Sequence, residues 1–167
     1  MKISPMELNK KLKAAENSLQ LLTEEESRVS IFCASLSDAD TVRPEYDYHA
    51  VSGRISELQK EIRTIKHCLN VFNTNTYVPD LECTVDELLI IIPQLSSRKK
   101  ALKEMALRNK YSRPERAMYT GSSDYTIANY DIAWAKADYA LVSDLLSRAQ
   151  LALDRINSES EIEYPED

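Results

Sequence analysis

The sequence predicts a mainly α-helical protein: four long, heptad-patterned helices set in antiparallel hairpins or a bundle, with room for a minor β element at one end. Three observations carry this. Tyr48, Val51, Ile55, Leu58, Ile62, Ile65, Leu69 and Phe72 recur at steps of three and four, which places a single apolar seam along one side of a helix. Three further stretches repeat the pattern. Only two glycines occur in 167 residues, too few for the turns of a sheet-rich fold or for a phosphate-cradling loop.

The first helix is expected to start at Ser4 as cap, with Pro5 at the first helical position and Glu7 at the third. Its seam is Leu8, Leu12, Ala15, Leu19, Leu22, Glu26, Val29, Cys33 and Leu36. That seam predicts a helix to about Ser35 or Leu36, roughly 45 Å at 1.5 Å per residue. Glu26 interrupts it, and is read as a partly exposed site where the seam passes a helix end rather than as a register-setting device. Residues 37–44 are polar and end in Pro44, which biases Arg43 away from helix; they make the first connection. So short a link favours antiparallel neighbours and joins the first helix to the Tyr48–Phe72 seam. Gly53, inside that second helix, either permits close helix approach or is simply tolerated at an exposed site.

After Phe72 the pattern breaks. Asn73 is expected in a left-handed cap, and Thr76-Tyr77-Val78 in an extended conformation. Thr84 and Glu87 then form a capping box. Val85, Leu88, Ile92, Leu95, Leu102 and Ala106 continue the seam, with Lys99 in an apolar slot and Pro93 expected to kink the helix. Leu89-Ile90-Ile91-Ile92 is apolar all round, either a buried turn or a surface for another subunit. Residues 108–124, with Pro114 and Gly121, read as the longest loop, and residues 124–128 alternate like a short strand. Asn129 or Asp131 caps the last helix, whose seam is Ile132, Ala135, Tyr139, Val142, Leu146, Ala149, Leu153 and Ile156. Glu161-Ile162-Glu163-Tyr164 suits a final strand paired with residues 76–78 or 125–128. The expected organisation is one helical domain over residues 1–167, with a hairpin (5–72), a second helical pair (84–157) and a short acidic tail (158–167).

With 43% apolar and 29% charged residues and a net charge of −6, the chain reads as a soluble protein that does not bind polyanions through its whole surface. The charge is uneven. From Arg98 to Arg116 there are eight basic residues against two acidic ones, a local +6 that leaves −12 elsewhere. No stretch reaches the roughly 18 apolar residues of a membrane span, and no signal-peptide core follows Met1, so a cytoplasmic location is expected. Cys33, Cys68 and Cys83 are odd in number and unpatterned, consistent with reduced, mostly packed thiols.

The segments Leu69-Asn70-Val71-Phe72-Asn73-Thr74-Asn75-Thr76, Thr84-Val85-Asp86-Glu87-Leu88, Tyr125-Thr126-Ile127-Ala128-Asn129-Tyr130-Asp131 and Leu151-Ala152-Leu153-Asp154-Arg155-Ile156-Asn157 together resemble the septicolysin-like family of small, largely uncharacterised bacterial proteins. The resemblance covers residues 46–164. It implies a bacterial, mainly helical protein and brings no catalytic residues with it.

Chemistry is sparse. His49 and His67 stand in no metal-ligand spacing, and His67 and Cys68, being adjacent, point about 100° apart on a helix. The carboxylates of Glu24-Glu25-Glu26 and of the C-terminal run read as solvated, and no Glu-x-x-His pair is present. The polar junctions at residues 70–77 and 125–131 read as helix-end caps in preference to a ligand site. No catalytic residue, metal, cofactor or small-molecule substrate is therefore expected. The candidate site is a polyanion-binding one: Lys99, Lys100, Arg108, Lys110, Arg113 and Arg116, interleaved with Tyr111 and Tyr119 that would stack on unpaired bases. A solvated helix end and loop is the plainer account of those charges. The expected function is a non-enzymatic bacterial interaction or structural protein, with no membrane partner, whose coiled-coil-like seams pack within the chain and leave a surface for a homo-oligomer or another protein. The alternative is a nucleic-acid-associated protein using segment 98–116.

Overall fold

The computed structural model describes residues 1–114 and 123–165 and is mainly helical with a few short strands. Arg116, Tyr119 and Gly121, and Glu166 and Asp167 of the acidic end, lie outside the described residues. In chain order the elements are β1 (Lys2–Ile3), α1 (Pro5–Val29), α2 (Ala39–Val42), α3 (Tyr48–Asn75), β2 (Tyr77–Val78), a 3-10 turn (Pro79–Leu81), β3 (Cys83–Thr84), α4 (Val85–Leu107), β4 (Tyr111–Ser112), β5 (Thr126–Ile127), α5 (Ile132–Glu159) and β6 (Ile162–Glu163). The chain divides into two compact units, Met1–Asn75 with Ile156–Asp167, and Thr76–Arg155.

The first unit is built on the α1/α3 pair. Ser4 caps α1 through the expected box: its hydroxyl accepts from the Glu7 amide at 3.2 Å, while the Glu7 carboxylate accepts from the Ser4 amide at 3.2 Å. Leu8, near the start of α1, shares a buried cluster with Ile65 and Leu69 near the end of α3, and Glu26 near the end of α1 bonds Tyr46 just before α3. The two helices are thus antiparallel. Leu8 and Ile65 are fully buried, each withdrawal from water contributing about 1.5–3 kcal/mol. Lys66–Glu16 at 2.7 Å and Lys11–Glu61 at 3.6 Å link the flanks of the pair.

Helix α1 stops at Val29, short of the expected Ser35 or Leu36. Cys33 and Leu36 are exposed, Leu36 completely, so the seam continues in sequence but not in structure. The connection is correspondingly longer than residues 37–44 and contains the single turn of α2. At its other end α3 runs on to Asn75, and Asn73 is helical, not left-handed; among the described residues Glu82 is the non-glycine residue with positive φ, at 51°. The Asn75 amide bonds the Val71 carbonyl at 2.8 Å and the Thr74 hydroxyl bonds the Asn70 carbonyl at 2.9 Å, which ties these polar side chains to the helix they end. A Cβ on Gly53 would meet nothing within 4 Å, so no close helix approach is built there.

The final strand forms, with a different partner from either expected. β6 pairs antiparallel with β1, Ile3 opposite Ile162 and Lys2 opposite Glu163. The N-terminal ammonium donates to the Tyr164 carbonyl at 2.9 Å, and Ile162 and Tyr164 are buried against Leu8, Ile65 and Leu69. Lys11 lies over the Tyr164 ring at 4.6 Å. Residues 162–164 of the acidic end therefore seal the open end of the hairpin.

In the second unit, β2 and β3 form a two-stranded ribbon with Val78 opposite Cys83. Thr84 ends it and caps α4, accepting from the Glu87 amide at 3.3 Å while Glu87 accepts from the Thr84 amide at 2.7 Å. Burial pushes the Cys83 thiol above its usual range. α4 continues unbroken through Pro93, with Val85, Leu88 and Leu102 buried. Residues 108–124, expected as loop, contain β4, which pairs with β5 so that Tyr111 faces Ile127 and Ser112 faces Thr126. Asp131 caps α5, its carboxylate accepting from the Ala133 amide at 2.7 Å. Ala135, Leu146 and Ala149 of the expected seam are buried.

Candidate functional site

The described residues of the basic segment sit in different local settings. On α4, Lys99, Lys100 and Lys103 share a sector at 100° per residue, while Arg98 projects well away from it. Lys99 is half-buried in the seam slot the pattern assigns it, as a long aliphatic stem permits. Arg108 is exposed and ends α4 in extended backbone (φ −72°, ψ 149°). Lys110 serves the fold: its ammonium donates to the Ala128 carbonyl at 3.1 Å and its own carbonyl accepts from the Ala128 amide at 3.0 Å. Arg113 is exposed beyond β4, and Tyr111 is 62% exposed on it. Arg116 lies outside the described residues.

The polar junctions are occupied by structure. The Tyr130 phenol donates to the Met105 carbonyl at 2.9 Å, and the Thr76 carbonyl accepts from the Val85 amide at 2.9 Å, so these side chains and backbones close helix ends. His49 and His67 are exposed and Cys68 is packed against the Leu8 cluster. Among the described residues, no three His, Cys, Asp or Glu side chains come together in an arrangement able to hold a metal ion.

A different surface was not singled out by the repeat. On α5, Trp134 is 76% exposed, Leu141 69% and Leu145 36%. They fall on one line along the helix, separated by seven and four residues, and that line lies roughly 90° round the helix from Ala135, Val142, Leu146 and Ala149. Asp138 and Arg148 occupy the remaining positions of the same stripe, and Ala152, half-buried in a concavity it lines with Asp80, Leu81 and Arg148, ends it. The Arg148 guanidinium also donates to the Asp80 carbonyl at 3.3 Å, which anchors its position while leaving other N–H donors of the fork. On α4, Leu89 and Ile90 are exposed as well, whereas Ile91 and Ile92 are half-buried, so the all-round apolar turn is neither wholly core nor wholly surface. The signal for the α5 stripe was present in the sequence as a second heptad-spaced row, hidden beneath a first row that already satisfied the helix pattern.

No protein-family model matches this chain, and no curated protein matches it either. Among solved structures it is similar to a protein from Corynebacterium diphtheriae, described as a functionally unknown conserved protein. The TM-score is 0.69 at 14% identity, over 98% of this chain and 100% of the other. That likeness shows the fold. No helix among the described residues is long and apolar enough to cross a membrane.

Proposed function

We propose that this is a non-enzymatic interaction protein that works by binding and associates with itself, in the cytoplasm of a bacterium. The observation that carries the reading is the α5 stripe: a tryptophan and two leucines in line on a rigid helix, held open while a separate seam on the same helix is buried. An indole at an exposed helical position of a water-facing protein is a usual anchor of protein interfaces, where aromatic residues contribute most of the contact energy. The three free cysteines and the resemblance of the 69–76, 84–88, 125–131 and 151–157 segments to septicolysin-like proteins support the location and source.

Light scattering over a wide range of protein concentration tests the reading. A mass above 19.1 kDa that falls on dilution is expected; a monomer at every concentration overturns self-association. A nucleic acid is the less favoured partner, because Lys110 is committed to Ala128 and Arg98 stands apart from Lys99, Lys100 and Lys103. Its mark would be binding to DNA or RNA at low salt with a steep loss as salt rises.

A further inference from the structure

The geometry points to a particular mode of self-association: two copies pair through α5, antiparallel, about a two-fold axis level with residue 143. This rests on the self-association proposed above and adds the surface and the register. Turned end for end about that level, the stripe is complementary to itself, with half-buried Ala152 as the floor that receives the indole. Trp134 meets Ala152 of the second copy, Asp138 meets Arg148, and Leu141 meets Leu145. Each match is chemically apt. The largest side chain of the stripe falls opposite the smallest, the acid opposite the base, and the two leucines interdigitate at the axis.

The relation is reciprocal, as a two-fold interface requires, so each match occurs twice. A parallel pairing in register would instead set Asp138 against Asp138, Arg148 against Arg148 and indole against indole, which is repulsive at two levels and overpacked at a third. Spanning Trp134 to Ala152 gives about 27 Å of contact at 1.5 Å per residue, several layers of side chains packed as in an antiparallel coiled coil. The Asp80 carbonyl on its own chain takes one N–H of the Arg148 fork, which leaves further donors of that fork to meet a carboxylate.

Charge reversal tests both the partner and the register, with mass measured by sedimentation at several concentrations and folding checked by circular dichroism. Asp138→Arg alone and Arg148→Asp alone are each expected to weaken the dimer by at least about tenfold, since each places like charges together twice. The double variant D138R/R148D restores opposite charges at both levels and is expected to regain the dimer. Leu141→Asp, at the axis, is expected to give a folded monomer. A dimer indifferent to the single reversals, or one lost in both singles and not regained in the double, overturns this pairing while leaving self-association standing. A wild-type chain that is monomeric throughout overturns both, and leaves the stripe to an unlike protein.

Discussion

The Tyr46 phenol donates a 2.8 Å hydrogen bond to the Glu26 carboxylate, joining the last turn of α1 to the residue that leads into α3. Glu26 thereby fills the polar gap in an otherwise apolar seam, and the bond fixes where the hairpin closes. The neighbouring carboxylate raises the phenol above its ordinary 10.0. A raised pKa means the contribution is fully present below the ordinary value and fades as pH rises through the higher native one. Difference absorbance between wild type and Tyr46→Phe should show a phenol titrating above 10.0; a midpoint at or below it refutes the contact. Tyr46→Phe is also expected to lower stability at neutral pH.

The core of the first unit is small and its members are not interchangeable with the rest of the seam. Leu8→Ala or Ile65→Ala should cost about 2–5 kcal/mol in urea denaturation, because both sites are closed on all sides. Leu36→Ala, in the same repeat but fully exposed, should change stability by less than about 0.5 kcal/mol. Equal effects at the three positions would mean that α1 continues beyond Val29.

Thr84→Ala should cost about 1 kcal/mol, the usual loss of a helix cap. Hydrogen bonds from the Thr84 backbone and hydroxyl hold Glu87 below its ordinary 4.5. A lowered pKa contributes stability above the ordinary value that is lost as pH falls through the native one. In Thr84→Ala, the Glu87 titration followed by NMR should move only part of the way back up, since the larger cause, the bond from the backbone amide at position 84, remains. The Ser4–Glu7 box at the start of α1 should behave in the same way, its carboxyl being lowered by the same kind of contact.

Tyr164→Ala should destabilise the first unit about as much as Leu8→Ala, since its ring covers the Leu8, Ile65 and Leu69 cluster. Lys11→Met should cost much less, because the cation above that ring contributes only about 0.5–1 kcal/mol at a partly open site. If Tyr164→Ala is silent, the strand pairing of β1 with β6 does not form in solution.

Helix α3 could be read almost residue for residue, because a seam of apolar side chains at steps of three and four is a local signal and its partner α1 carries another. Both capping boxes were equally plain, each needing only four consecutive residues. The end of α1 was not legible: Cys33 and Leu36 keep the period, and no glycine or proline marks the stop at Val29. Strand partners were hidden for another reason. Ile3 and Ile162 pair across nearly the whole chain, and a two-residue strand carries no information about what lies opposite. Of the candidate basic site, the composition was visible, but the direction of each side chain was not; Lys110 turning to Ala128 depends on a ribbon formed with a segment 15 or so residues away. The α5 stripe needed exposure, which only packing decides.

The pairing of Lys2–Ile3 with Ile162–Glu163 also dictates an order of events during synthesis. The opening strand leaves the ribosome long before the segment that completes it has been translated. Until Ile162 and Tyr164 emerge, the hairpin's greasy end stays uncapped, and a nascent chain paused after α3 has left the ribosome presents Leu8, Ile65 and Leu69 to whatever chaperone is near.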